Sequence, residues 1–116
     1  MNVVEQNIKT VSKLCKQYKV KNMYLFGSIL TEKFSLNSDI DFLVTFGQVN
    51  LPHYFDNYIG LKGELERIFH RPIDLVEEKT VRNPILHRSI EKNKKLIYNL
   101  PNLEKEVDKL IPRTTT

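Results

Sequence analysis

Residues 27–46, GSILTEKFSLNSDIDFLVTF, join a glycine-serine pair to a strand-like segment that carries two aspartates near its start. The segment Ser38–Phe46 is rich in Ile, Phe, Leu and Val, and this composition predicts a sheet strand. Because successive side chains of a strand point to opposite faces, Asp39 and Asp41 are expected to share one face, followed by Leu43. The alternate side chains are expected in the core: Ile40, Phe42 and Val44.

The two aspartates need a physical explanation. Two carboxylates this close repel each other, and burying either one without a positive partner costs free energy. A Mg²⁺ ion would satisfy both, since it binds a few carboxylate oxygens, keeps several waters and is often completed by substrate phosphates. The alternative is an exposed strand end at which both aspartates are simply solvated.

Two further features favour a site. Gly27-Ser28 follows an apolar run, and glycine permits a tight turn whose backbone N–H groups, with the Ser28 hydroxyl, can hold phosphate oxygens. Asp74 lies in another strand-like run, RPIDLV, and would bring a third carboxylate to the same sheet edge if that strand lies beside the first. The alternatives are an ordinary Gly-Ser turn, and an Asp74 that pairs with Arg71 or a lysine.

The rest of the chain predicts an α/β fold with a small mixed β-sheet flanked by helices. Helices are predicted from apolar periodicity or capping residues: one with the stripe Val4, Ile8, Val11, Cys15 and Tyr18; a short one over Ser28–Lys33; one with Phe55, Tyr58, Leu61, Leu65 and Ile68; one from Pro84, capped by Asn83, to about Asn93; and a last one with Leu103, Val107 and Leu110. Further strands are predicted at Asn22–Phe26, Ile73–Val76 and Leu96–Tyr98, a turn at Ser35–Ser38 and a loop at Gln48–Pro52. We expect one domain over residues 1–98, then a C-terminal helix and disordered tail over residues 99–116.

The composition excludes several classes of protein. The net charge of +4, with acidic and basic residues interleaved, makes direct nucleic-acid binding unexpected. Cys15 is the only cysteine, so an internal disulfide or a thiolate metal cluster is impossible, and it is read as a small core residue. No long apolar stretch or signal-peptide pattern is present, so we expect a cytoplasmic protein without membrane spans. The histidines His53, His70 and His87 lack ligand spacing and receive no role.

These residues resemble a known family. Gly27-Ser28, ten residues, and then Asp39-Ile40-Asp41 are similar to the G-S-x10-D-x-D signature of the DNA polymerase β-like nucleotidyltransferases. The length resembles the minimal nucleotidyltransferases (MNT), which occur beside HEPN-domain proteins in toxin–antitoxin pairs. The resemblance covers residues 22–98 and implies the polymerase β palm-like fold.

The resemblance also implies roles. Asp39 and Asp41 would bind Mg²⁺, Asp74 would help to bind a second ion and act as base, and Gly27 and Ser28 would hold the outer phosphates. The implied reaction transfers AMP from ATP to a hydroxyl and releases pyrophosphate, with two cations stabilising the attacking and leaving oxygens. The implied acceptor is a partner protein, a HEPN toxin that the transfer neutralises.

One position departs from the family pattern. Many relatives have a basic residue after Gly-Ser, whereas this chain has Ile29, which cannot neutralise phosphate charge. This favours a second hypothesis, a non-catalytic antitoxin that acts by binding alone. A third is a nucleotidyltransferase for a small hydroxylated molecule. The chain has no evident length for an acceptor-binding domain, which favours an acceptor presented by another protein.

Overall fold

A computed structural model describes residues 1–100 of the chain. Its helices are α1 Val3–Gln6, α2 Ile8–Gln17, α3 Leu51–Phe69 and α4 Pro84–Asn93, and its strands are β1 Val20–Phe26, β2 Ile40–Phe46, β3 Ile73–Glu77 and β4 Lys95–Asn99. Short 3₁₀ turns follow β1, at Gly27–Leu30, and β3, at Glu78–Thr80. The predicted α/β class with a small mixed sheet is confirmed.

The four strands form one sheet in the order β3-β2-β1-β4. Strand β1 pairs antiparallel with both β2 and β4, and β2 pairs parallel with β3. The parallel pair brings the starts of β2 and β3 to the same end of the sheet, where the antiparallel β1 ends. The segments that carry the predicted site residues therefore meet at one end.

One face of the sheet carries the main core. The predicted inward residues Ile40, Phe42 and Val44 are all fully buried in it, and Cys15 is buried there as a core residue. Burial of the Cys15 thiol raises its pKa to about 12, which is consistent with a packing role. Helices α2 and α3 supply further side chains to this core: Val11, Leu14, Leu61, Leu65 and Phe69.

The N-terminal helix differs from the prediction. The stripe from Val4 to Tyr18 was expected on one helix, but Asn7 separates α1 from α2. The Asn7 side chain donates from Nδ2 to the Val3 carbonyl at 2.8 Å, within the preceding turn. An asparagine that binds nearby backbone competes with helix continuation, and this accounts for the break.

Three other predictions also differ from the structure. Asn50 caps α3 by accepting from the His53 N–H, so residues predicted as a loop over Gln48–Pro52 already begin the helix. Along α3, Leu61, Leu65 and Phe69 are buried, and Tyr54, Tyr58 and Ile68 are partly buried against the core, whereas the predicted Phe55 is 55% exposed. The predicted helix over Ser28–Lys33 is only a 3₁₀ turn.

Helix α4 lies on the other face of the sheet. Lys94, which follows it, has its Nζ 4.1 Å from the ring centroid of Tyr24 on β1 and 3.8 Å from Glu78 Oε1. These contacts hold α4 beside the end of β1. The predicted C-terminal helix with Leu103, Val107 and Leu110 lies outside the described residues. Within residues 1–100, none of the helices combines the length and apolar character needed to cross a bilayer.

Candidate active site

Three residues from three strands form a row across the end of the sheet. Phe26 pairs with Asp41 across β1 and β2, and Asp41 pairs with Asp74 across β2 and β3. Directly opposed residues of neighbouring strands have their side chains on the same face, so the Asp41 and Asp74 carboxyls lie side by side. Of the three carboxylates expected to converge at this edge, Asp41 and Asp74 are therefore adjacent, on the face opposite the main core.

Gly27 follows the row and lies against Asp41. Its φ of +80° is a left-handed conformation that favours glycine. A Cβ built at this position would lie 2.1 Å from Asp41 Oδ2, closer than any side-chain atom can approach. The glycine therefore permits both the turn and the close approach of the Asp41 carboxylate to the backbone.

The rest of the glycine-serine turn is held locally. The Thr31 N–H and the Thr31 hydroxyl both donate to the Ser28 carbonyl oxygen at 2.8 Å. Ile29 is only 6% exposed and belongs to the main core, so its side chain points away from the turn. Packing thus accounts for the apolar character of Ile29, the feature that favoured the non-catalytic hypothesis.

Asp39 lies one residue before β2, at the end of a loop that Arg71 fastens. The Arg71 guanidinium donates to the carbonyl oxygens of Ser35 and Ser38, both at 3.1 Å, and lies 4.7 Å from the ring centroid of Phe34. The alternative in which Asp74 pairs with Arg71 is therefore wrong. Arg71 instead holds the loop that leads to Asp39, and the sequence does not indicate these contacts.

The charges at this site are unbalanced. Burial, together with the negative charges of Asp74 and Asp39, raises the pKa of Asp41 to about 6. None of the salt bridges within residues 1–100 involves these three aspartates. Asp41 is half-buried, so the alternative of two fully solvated aspartates does not describe it.

The carboxylates fit a hard cation of the kind predicted. A divalent ion between Asp41 and Asp74 would remove the repulsion that raises the Asp41 pKa. The part of the chain that the structure describes holds no group of three His, Cys, Asp or Glu side chains arranged to hold a metal ion. The predicted set of three carboxylates, Asp39, Asp41 and Asp74, is therefore not found there as one metal-holding group. The adjacent pair Asp41 and Asp74 still suits Mg²⁺, which takes one or two carboxylates and completes its shell with water and substrate phosphate.

A cleft that the sequence did not indicate opens beside Gly27. Its volume is about 430 Å³, and it lies between the glycine-serine turn and α4. Its lining comprises Phe26, Gly27, Leu30 and Thr31 on one side and Leu86, Ser89, Ile90 and Asn93 on the other. The spacing of the α4 residues, at steps of three or four, marks one face of that helix, but the sequence does not show what that face borders.

The chain is similar to known proteins in both sequence and fold. Residues 9–102 match the family model described as "Polymerase beta, Nucleotidyltransferase". The chain is 35% identical over 99 residues to "Putative protein adenylyltransferase MJ1379" of Methanocaldococcus jannaschii, an alignment that covers 84% of this chain and 96% of that protein.

Solved structures with a similar fold include two from toxin–antitoxin systems. A toxin–antitoxin crystal structure with AMP-PNP matches with a TM-score of 0.62 and 22% identity. The alignment covers 94% of this chain and 83% of the chain in that structure. The complex of a tri-AMPylated Shewanella oneidensis HEPN toxin with an MNT antitoxin has a TM-score of 0.56 and 20% identity, with coverages of 96% and 82%.

Proposed function

This chain belongs to the polymerase β nucleotidyltransferase family, and we propose that it transfers AMP from ATP to a hydroxyl group of a partner protein. The observation that carries the proposal is the row formed by Asp41 and Asp74, with the Gly27 backbone against the Asp41 carboxylate. A family fold with this row intact supports catalysis over binding alone. The protein adenylyltransferase name of a relative that matches over most of both chains supports AMP as the transferred group.

We assign the roles by position. Asp39 and Asp41 would hold Mg²⁺ with Asp74 at its side, and Gly27 and Ser28 would hold the outer phosphates through their backbone N–H groups and the Ser28 hydroxyl. When bound, Mg²⁺ supplies positive charge that offsets the negative charge developing on the phosphate oxygens. Ile29 packs into the main core and therefore does not occupy the proposed phosphate site.

In this proposal Asp74 receives the proton of the acceptor hydroxyl. It lies on the edge strand β3 and is exposed, so an acceptor can reach it from solvent. In the proposed step the acceptor hydroxyl loses its proton to the Asp74 carboxylate, and its oxygen forms a bond to the α-phosphorus. The bond from that phosphorus to the bridging oxygen breaks, and pyrophosphate leaves with the electron pair.

For the partner we propose a HEPN-type toxin that this transfer neutralises. The support is the fold shared with antitoxins in toxin–antitoxin structures, one of which is bound to a tri-AMPylated HEPN toxin. The protein would then act as an antitoxin through chemistry at the row of aspartates.

The test uses ATP labelled at either the α- or the γ-phosphate. The purified protein is incubated with Mg²⁺ and the product of a neighbouring HEPN gene. We expect α-label, and no γ-label, on the partner, with release of pyrophosphate. Asp39→Asn and Asp41→Asn should remove the label, while Asp56→Asn, an exposed position on α3, should retain it. A tight complex that acquires no label and is unaffected by Asp41→Asn would overturn the proposal.

A further inference from the structure

The cleft between the glycine-serine turn and α4 has the size and position of a ligand site. Its volume of about 430 Å³ lies within the range of roughly 300–1,000 Å³ that small-molecule sites occupy. It shares Gly27 with the proposed phosphate-binding turn, so it begins beside that turn. None of the roles assigned above uses the residues of α4.

Resting on the proposed function, we propose that this cleft holds the base and ribose of the nucleotide and that Asn93 recognises the adenine edge. The occupant is thus a purine nucleoside attached to the phosphates at Gly27, and α4 forms the side of the cleft away from the turn.

The order of the strands supports placing the nucleoside on the Gly27 side of Asp41. Asp74 lies on β3 at one edge of the row, and Phe26 and Gly27 lie on the opposite side of Asp41. If the acceptor hydroxyl approaches Asp74, the space beside β3 belongs to the acceptor. The nucleoside must then extend from the phosphates in another direction, and the cleft that starts at Gly27 offers one.

The apolar lining suits a flat, hydrophobic base. Phe26 and Leu30 face the cleft from the sheet side, and Leu86 and Ile90 face it from α4. Ile90 is 5% exposed and therefore fixed by packing, whereas Leu86 is 50% exposed at the open side. An apolar lining with a small number of polar groups is the usual composition of a small-molecule site.

Asn93 supplies a donor and an acceptor together. Its Nδ2 donates one hydrogen bond to the Ser89 carbonyl oxygen at 3.0 Å. Within residues 1–100 the second N–H and the Oδ1 atom make no hydrogen bond. An amide with one donor and one acceptor is complementary to N7 and the N6 amino group of adenine, whereas guanine presents two acceptors there.

The other polar groups are less suited to this role. The Thr31 hydroxyl already donates to the Ser28 carbonyl and accepts from the Lys33 N–H. Lys94, one residue beyond Asn93, binds Glu91 at 2.8 Å and lies over Tyr24, so it anchors the end of α4. These contacts hold the end of α4, which carries Asn93, beside the sheet.

The experiment compares ATP with inorganic tripolyphosphate, which carries the same phosphates and no nucleoside. Binding of each to the full chain with Mg²⁺ is measured by calorimetry for Leu86→Trp, which fills the cleft, and for Ile85→Trp. Ile85 is the neighbouring residue, 79% exposed and outside the lining, so it is the matched control. Thermal melts of all variants check that each is folded.

We expect Leu86→Trp to weaken ATP binding at least about tenfold and to leave tripolyphosphate binding within about twofold, with both affinities retained in Ile85→Trp. Asn93→Leu should reduce the preference for ATP over GTP by about tenfold, since it removes both halves of a bidentate base contact, and such a contact discriminates by roughly this factor. Equal weakening of ATP and tripolyphosphate by Leu86→Trp, or an unchanged ATP affinity, would overturn the proposal.

A separate readout distinguishes this proposal from the proposed function. If ATP binding follows the expected pattern but no label reaches a partner protein, the transfer proposal fails and the nucleoside site stands. If label is transferred and Leu86→Trp leaves ATP affinity unchanged, the cleft is not the nucleoside site and the transfer proposal stands.

Discussion

The Gly27 backbone and the Asp41 carboxylate are in direct contact, and a Cβ at position 27 would lie 2.1 Å from Asp41 Oδ2. The turn and the aspartate therefore form one unit, although fourteen positions separate them in the sequence. Because position 27 has no side chain, the Asp41 carboxylate can lie against the proposed phosphate-binding turn.

Gly27→Ala is expected to disable the site more than it destabilises the fold. The left-handed conformation at this position costs an alanine about 1–2 kcal/mol, and its Cβ would displace the Asp41 carboxylate. A displacement of about 1 Å reduces catalysis on the order of 100-fold. Label transfer and a thermal melt measure the two effects. Near-normal transfer by a folded Gly27→Ala protein would contradict the assigned contact.

Asp41→Asn is expected to stabilise the protein when no metal is present. Burial, with the charges of Asp74 and Asp39, raises the Asp41 pKa from 3.8 to about 6. The stability that this group contributes is complete below about pH 4 and is lost as the pH rises through about 6. Asparagine does not ionise and so has no such loss. In EDTA at pH 7, the free energy of unfolding of the variant should therefore exceed that of the parent by on the order of 1 kcal/mol, a figure reduced for solvent screening.

The pH dependence supplies the control for this prediction. At pH 4 the parent and Asp41→Asn should unfold at nearly the same denaturant concentration, because Asp41 is then protonated in the folded state. Asp56→Asn, at an exposed position, should show no such difference between the two pH values. A stability loss in Asp41→Asn at pH 7 without metal would show that this carboxylate is structurally required.

The two glycines of α3 are expected to respond oppositely to alanine. No atom lies within 4 Å of a Cβ built at Gly63, whereas one at Gly60 would lie 2.5 Å from Tyr18 Cε1. Gly63→Ala should therefore gain about 1 kcal/mol from helix propensity. Gly60→Ala should be less stable than Gly63→Ala by about 1–2 kcal/mol, because the Tyr18 ring must move. Denaturant unfolding of both variants measures the difference, and equal stabilisation would contradict the close packing of α3 on Tyr18.

Arg71→Ala is expected to loosen the loop before Asp39. The change removes two hydrogen bonds to the carbonyls of Ser35 and Ser38 and the contact with Phe34, at a cost of about 1–2 kcal/mol. It should also raise the Mg²⁺ concentration needed for half-maximal transfer. Arg67→Ala removes only an exposed pair with Glu64 and should change neither quantity. If the two variants behaved alike, Arg71 would have no positioning role.

The acidic row follows from the sequence because two of its members lie in strand-like runs and the fold class is evident. Asp41 and Asp74 each occupy the second position of a strand, and parallel pairing then places them side by side. The glycine-serine turn follows from the same pattern, since it directly follows an apolar strand. Local chemistry therefore predicts these positions without coordinates.

Features that depend on how distant elements pack could not be predicted in this way. The α4 residues Leu86 and Asn93 become part of a cleft only because α4 lies beside the end of β1. Arg71 donates to the carbonyl oxygens of Ser35 and Ser38 because the loop conformation places those oxygens beside it. Phe55 is exposed and its neighbour Tyr54 is partly buried, although both are aromatic, because Tyr54 makes a T-shaped contact with Phe46.

The most direct test of the central claim is to locate a divalent ion beside the row of aspartates. Crystals grown with Mn²⁺ and a non-hydrolysable ATP analogue can be measured at the manganese absorption edge, with Asp41→Asn as the comparison. We predict an anomalous peak beside the Asp41 carboxylate, between it and the analogue phosphates near Gly27, which is lost in the variant. A parent structure with the analogue bound and no peak at Asp41, or with the ion elsewhere, would contradict the account.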